Sequence, residues 1–429
     1  MQQSVKSVGY ALFAGTLVFA ASCGSDQKQP SASNAGASSN AGASTGGSST
    51  SNGGSSAAGA STGGSNVGAG GAYMGKPLTT TAKDLAMALR GKTNFLIGLG
   101  NDLPKDYNWD NSGAFTLGVT LDLHYIYLTG LPGEGGWTDW NPGAQFPVVI
   151  GNADKKHNVS PMQTVWSMPA RGENRMDVLV DDSFMSKYWD AAKQLFQRLG
   201  TDLNVPGVVH LEPDFWAYAE MATKENAKAQ PVHLSPECTG LPADLTGMGR
   251  CWLKLARTYA PKVLVGFHAS TWGGPTPEAV GNFLKSIGGS EADLVIIDML
   301  DRDAGCFEDG KLPQCMRQGK FYWDETNATS PNFHEHLAWS KALSTTLGRP
   351  ILWWQLPLGV PSTTPGGTSG HFRDNRVKYL FSHVQEFVDA GGLGAVFGTG
   401  ADDQTFITTD GGQFKNAVTQ YFQAPVALP

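Results

Sequence analysis

Two short stretches carry more ionisable side chains than their apolar surroundings would lead one to expect. The segment HLEPDFW, residues 210–216, holds His210, Glu212 and Asp214, and the segment DMLDRD, residues 298–303, holds Asp298, Asp301, Arg302 and Asp303. Each closes a run of aliphatic residues with strand character, where a side chain passes from a packed interior into a loop. Two carboxyl groups in unlike surroundings can divide acid and base work. One stays protonated and donates; the other stays ionised and activates water or attacks directly. Glu212, flanked by apolar Leu211, Phe215 and Trp216, is expected to be the acid. Asp298 and Asp301 would then be base or nucleophile, Arg302 would keep one of them ionised, and Asp214 completes the catalytic set. Asp122, His124, His210, His268 and Gln355 close other β-rich runs and are expected to hold substrate hydroxyls. The same residue types bind divalent cations. A metal-dependent hydrolase built on Asp122, His124, His210, Glu212 and Asp214 is therefore an alternative, although no HExxH pattern is present and no metal is expected. His334, Glu335 and His336 open a predicted helix, where residues two apart do not share a face, and read as a solvated helix start.

Tryptophan placement adds a second signal. Trp109, Trp137, Trp140, Trp166, Trp216, Trp272, Trp323, Trp353 and Trp354 fall at or just after predicted strand ends, whereas Trp189, Trp252 and Trp339 fall on predicted helices. Flat rings with a polar edge suit stacking on sugar rings, so Trp216, Trp272 and Trp353 join the candidate substrate-binding residues. The plainer reading is that large rings fill a wide cavity mouth.

The elements that must position these residues alternate regularly. Strands are predicted at 95–99, 119–127, 161–168, 207–212, 262–268, 293–299, 350–356 and 393–398. Amphipathic helices are predicted at 184–199, 244–259, 276–287, 333–347, 373–390 and 411–422, several followed by Gly or Pro, as at Gly200, Pro261, Gly348 and Gly391. Strands alternating with helices pair in parallel through right-handed crossovers. Eight such units predict an α/β fold, a (β/α)8 TIM barrel with elaborated βα loops, whose function would sit at the C-terminal strand ends. A doubly wound sheet is the alternative, but GLGNDLP after the first strand lacks the Gly-rich phosphate turn.

On these residues the chain resembles the TIM-barrel glycoside hydrolases. The segment VVHLEPDFW is similar to the EPD signature of family 6 cellulases, which implies a proton donor at Asp214. DMLDRDAGC is similar to that family's DRDC element, which implies a catalytic role for Asp303, although here it follows the EPD-like element instead of preceding it. Clan A hydrolases carry Asn-Glu on strand 4 and a Glu nucleophile on strand 7, where this chain has Leu211 before Glu212 and has Gln355. The α-galactosidase clan pairs carboxylates on strands 4 and 6, a logic that Glu212 or Asp214 with Asp298 would fit. The resemblance implies a glycoside hydrolase acting on a poly- or oligosaccharide without a cofactor. A non-catalytic carbohydrate-binding barrel is the second reading.

Of the 429 residues, those at 31–72 are Ser, Gly, Ala, Asn and Thr apart from Val67, a composition with nothing to bury. Before them, Lys6, an apolar run from Val8 to Ser22 and the segment FAASC resemble a bacterial lipoprotein signal, which implies lipidation of Cys23. Ordinary secretion with cleavage nearby is the alternative. The expected organisation is a signal peptide over 1–22, a flexible linker over 23–72 and a catalytic-type barrel over 73–429. The expected location is the bacterial cell envelope, lipid-anchored at the outer membrane or cell surface, or secreted. The remaining cysteines, Cys238, Cys251, Cys306 and Cys315, are expected to pair locally in that order, with four free thiols as the alternative. A net charge of −7, from 31 basic and 38 acidic residues, argues against a nucleic-acid partner. The expected partners are a carbohydrate and a lipid anchor, with the barrel itself a monomer.

Overall fold

The computed structural model describes residues 81–103, 108–317, 319–361 and 366–429. The signal segment, Cys23 and the linker lie outside the described residues. Eight strands close into one parallel barrel: β1 Leu96–Gly100, β2 Leu123–Thr129, β3 Ser160–Trp166, β4 Gly207–Leu211, β5 Val263–Ala269, β6 Leu294–Asp298, β7 Ile351–Leu356 and β8 Gly392–Phe397. Each pairs with its sequence neighbours and β8 closes on β1, so no edge is left exposed. The expected (β/α)8 TIM barrel is the fold.

Pairing register assigns the two faces. Tyr125 and Tyr127 of β2 share the inner face with Met162, Thr164 and Trp166 of β3, and with Val208 and His210 of β4. Around the ring, Gly266 and His268, then Ile296 and Asp298, then Leu352 and Trp354 continue that face. The lower layers are apolar and the layer nearest the mouth is aromatic and polar. Tyr125 fits only because its neighbour lacks a side chain: a Cβ on Gly100 would lie 2.2 Å from its ring.

The outer faces of the strands pack on amphipathic helices. In Asp182–Gln197, Asp181 accepts from the Phe184 amide as N-cap, and Phe184, Tyr188, Trp189, Leu195 and Phe196 are buried. The helix expected over 373–390 is two helices, Arg376–Ser382 and Val384–Asp389, broken at His383. Phe333–Leu347 follows its expected bounds and ends on Gly348 at φ 66°. Disulfides join Cys238 to Cys251 and Cys306 to Cys315. Among the described residues, no helix is long and apolar enough to cross a membrane.

Strand 2 begins later than its β-rich sequence implied, and this moves the candidate residue Asp122. Asp122 precedes β2 and lies at the barrel's N-terminal end, where its carboxylate accepts from the Ile97 amide and from Lys92 Nζ at 2.7 Å. Asp293 does the same before β6, accepting from the Val265 amide and from Arg257. Both brace the closed end of the barrel and neither can reach a substrate at the mouth.

Candidate active site

Three carboxyl groups surround the C-terminal mouth. Asp214 follows β4 and precedes the helix Phe215–Thr223; Asp298 ends β6; Asp301 lies three residues on. All three are half-buried. Burial raises the Asp214 pKa to about 8, helped by the charges of Asp298, Asp301 and Glu173 and opposed by Arg302. Burial also raises Asp298, with Asp301 adding to it, but only to about 6. Near neutrality Asp214 is therefore mostly protonated and Asp298 mostly ionised. Arg302 Nη1 holds both Asp301 oxygens, at 2.6 and 2.7 Å.

An aromatic and polar floor lies beneath. Trp354 stands edge-on to Tyr125 and Tyr127, and its ring centre is 4.7 Å from that of His210 and 5.7 Å from that of His268. The two imidazoles share a 3.0 Å hydrogen bond. Thr164 lies 3.3 Å from His210 Nδ1, and His268 Nε2 is 3.7 Å from Asp298. Burial pulls both histidines below their ordinary range, so the pair is neutral. Gln355 donates to the Tyr127 hydroxyl at 2.8 Å and to the Thr399 carbonyl at 3.1 Å. Asn101 donates to the same carbonyl, tying the loops after β1, β7 and β8 together.

Backbone strain gathers at this rim. Asn101, Glu212, Asp214, Leu300 and Gln355 all have φ between 46° and 79°, and each closes or follows a barrel strand. Such conformations are costly for residues other than glycine and persist where surrounding contacts impose them, often at functional sites.

Glu212 does not join the mouth. It is fully buried, and its carboxyl accepts from the Ser167 and Met168 amides at 3.0 and 3.1 Å. Tyr188, on the outer helix Asp182–Gln197, faces it. The physical reason is its φ of 46°, which breaks the strand alternation that would have aimed it inward. Glu212 therefore secures the loop after β3. Burial lifts its pKa from 4.5 to about 8. The fold thus keeps a proton that the unfolded chain releases, so this group's stabilisation is complete below pH 4.5 and is lost as pH rises toward 8. Glu212→Gln, neutral throughout, should reduce the fall in stability between about pH 5 and pH 9 by on the order of a few kcal/mol. Denaturant melts at the two pH values check this; a slope equal to the wild type's would refute it.

Other expected site residues separate in the same way. His124 points outward from β2 and is held between Asp102 at 2.8 Å and Asp154 at 2.7 Å. Burial works against its charge, but the two carboxylates hold its pKa up at about 10. It fastens the loop after β1 through Asp102, which also accepts from Ser112. Trp216 is buried against Phe267, and Trp353 is buried with its indole donating to His336 Nε2 at 3.0 Å. His336 is thus a core acceptor instead of part of a solvated helix start. Of the nine tryptophans expected at the mouth, Trp137, Trp216, Trp353 and Trp354 are buried. Trp354, one position from the expected Trp353, lines the floor; Trp166 is half-buried beside Tyr127, and Trp272 is exposed.

Asp303, the residue matched by the DRDC likeness, is also fully buried. It accepts from the Thr405 amide and lies beside Asp374, which pairs with fully buried Arg376. Burial and the Asp374 charge raise Asp303 to about 8. Arg376 also donates to the Met299 carbonyl at 2.7 Å, so this cluster anchors the loop that carries Asp298 and Asp301. The residues proposed for a metal centre end up at three places: the barrel's closed end, its outer layer and its mouth. Among the described residues, no group of three or more His, Cys, Asp or Glu is placed to hold a metal ion.

No family model and no curated protein matches the chain. Among solved structures, an endo-β-1,4-mannanase from Thermotoga petrophila aligns at 13% identity with a TM-score of 0.46, over 78% of this chain and 77% of its own. An endocellulase from Pyrococcus horikoshii aligns at 12% identity and TM-score 0.46, over 76% and 91%. D-psicose 3-epimerase from Clostridium cellulolyticum aligns at 11% identity and TM-score 0.38, over 78% and 100%. These proteins carry out different chemistries, so the function has to be argued from the site itself.

Proposed function

We propose that the barrel cleaves glycosidic bonds of a poly- or oligosaccharide, with Asp214 as general acid and Asp298, assisted by Asp301, as base or nucleophile. One observation carries this reading: two half-buried mouth carboxyls, after β4 and at the end of β6, stand in unlike surroundings that raise Asp214 further than Asp298. Protonation of the leaving oxygen needs the first; activation of water or attack at the anomeric carbon needs the second. Tyr127 and Trp166, both half-buried, supply aromatic surface on which a sugar ring can rest, and buried Trp354 and Gln355 hold Tyr127 in place by ring packing and a hydrogen bond.

The pH dependence tests the assignment. As pH rises, kcat/KM should climb when Asp298 loses its proton near 6 and fall when Asp214 loses its near 8. The two groups feel each other's charge, so the limbs report the pair. The measurement is reducing-end release from a panel of polysaccharides by residues 73–429. A single limb, or no release from any glycan, would refute the assignment. The non-catalytic reading draws its support from Gln355, an amide that cannot ionise, at the end of β7.

A further inference from the structure

Asp214 stands at a boundary. Inside it lies the buried aromatic floor on the barrel axis. Outside it begins the helix Phe215–Thr223, and Tyr218 sits on that helix one turn past Asp214. The Tyr218 ring centre is 4.8 Å from that of Trp272, with the planes tilted by 59°. Trp272 is 41% exposed, a high value for an indole that already has an aromatic neighbour. The Tyr218 hydroxyl donates to Glu173 Oε2 at 3.1 Å. Glu173, Asn174, Arg175, Asp214, Phe215 and Tyr218 are among the residues that line one shallow depression, so Tyr218 of the aromatic pair and the mouth carboxyl share a continuous surface.

The turn carrying Trp272 is fixed to that same helix. A Cβ on Gly273 would lie 3.0 Å from the Ala217 Cβ, and one on Gly274 would lie 2.4 Å from Glu220 Oε1. Glu220 is itself buried beneath the turn. Glycine at these two positions lets the backbone approach Ala217 and Glu220 closely. The turn that carries the exposed indole thereby rests on the helix that begins just after Asp214.

We infer that Trp272, Tyr218 and Glu173 form a binding subsite for an uncharged pyranose unit on the leaving-group side of the scissile bond. The inference rests on the hydrolase reading, because the side follows from the positions of the two carboxyl groups. Asp298 and Asp301 act over the floor, so the sugar undergoing attack lies there. Asp214 delivers its proton to the departing oxygen, so the departing sugar lies outward, over the Trp272 shelf. The tilted rings offer an apolar face to the C–H face of a pyranose, and Glu173 offers acceptors for its hydroxyls. Charge narrows the class. Glu173 and the mouth carboxyls disfavour a uronate or sulfated unit, and the cation that lines the depression, Arg175, is engaged by Asp177 through two hydrogen bonds at 2.6 and 2.7 Å.

The test compares two substrates of the full chain. One is the neutral hexasaccharide, among gluco-, manno-, xylo- and galacto-hexaoses, that the wild type cleaves fastest. The other is a dinitrophenyl glycoside of the same sugar, whose leaving group has no pyranose to place on the shelf. Trp272→Ala should lower the ratio of kcat/KM for hexasaccharide over aryl glycoside by about tenfold. It should weaken hexasaccharide binding to the Asp214→Asn protein by a similar factor, with an unchanged melting temperature. An equal loss on both substrates, or unaltered binding, would overturn the subsite. Faster wild-type cleavage of a uronic-acid hexasaccharide than of any neutral one would overturn the assigned class. If the wild type cleaves no glycan while hexasaccharide binding still depends on Trp272, the hydrolase reading and the leaving-group assignment fall together, and a sugar-binding shelf is what remains.

Discussion

Asp214→Asn should reduce kcat on oligosaccharides by about 10³-fold, within the 10²–10⁴ that a positioned general acid contributes. Asparagine suits the position twice over. It keeps the size and shape of the aspartate, and it replaces a group that is already mostly neutral near pH 7, so the fold has little to lose. What disappears is the transferable proton. A dinitrophenyl glycoside needs no proton on its leaving oxygen, so its turnover should fall far less than that of an oligosaccharide. The alkaline limb of the pH profile should vanish as well, because the group titrating near 8 is gone. Equal losses on both substrates would mean that Asp214 acts only by shaping the helix start. Glu212→Gln is the companion measurement. A group bonded to the Ser167 and Met168 amides and facing Tyr188 should affect stability more than turnover.

Much of the frame was legible in the sequence because it rests on local patterns. Runs of aliphatic and β-branched residues located all eight strands, and amphipathic spacing located helices at six expected places but left Ala82–Arg90, Phe146–Lys156 and Phe215–Thr223 unread. Side-chain direction was harder to read, for a physical reason. Period two groups residues onto faces but does not say which face is inside. Asp122 falls just before β2 at the closed end of the barrel, and His124 lies on the outer face of that strand. His124 can point there because Asp102 and Asp154, 22 and 30 residues away, neutralise it. The pair Trp353 and Trp354 poses the same problem, settled by the hydrogen bond from Trp353 to His336 on a helix. Tyr125 and Tyr127 carried a usable signal, since they alternate with His124 and Ile126 in a strand that had to present one face to the axis. Glu212 was beyond such reasoning. Its direction depends on one left-handed residue at the end of β4, and no spacing rule anticipates that.

Arg376 tests how the mouth is held in place, with an expected stability loss of about 3–5 kcal/mol for Arg376→Met near neutral pH. The guanidinium is fully buried against Asp374, and it donates to the Met299 carbonyl at 2.7 Å and to the Phe321 carbonyl at 3.3 Å. Removing it leaves the Asp374 carboxylate fully buried beside Asp303, a second acid that burial already keeps protonated up to about pH 8. An uncompensated buried charge accounts for most of the expected cost, which gives it a pH signature. Acidification protonates Asp374, so the deficit of Arg376→Met relative to wild type should shrink toward pH 5. The double variant Arg376→Met with Asp374→Asn should recover part of the loss, because it removes the stranded charge along with its partner. Activity should fall in the single variant even though Arg376 is out of reach of a substrate, since Met299 lies between Asp298 and the residues leading to Asp301. Chemical denaturation of both variants at two pH values, with kcat measured alongside, decides the matter. A deficit independent of pH and unrelieved in the double variant would show that Arg376 contributes packing alone, and that the geometry of Asp298 is maintained by other contacts.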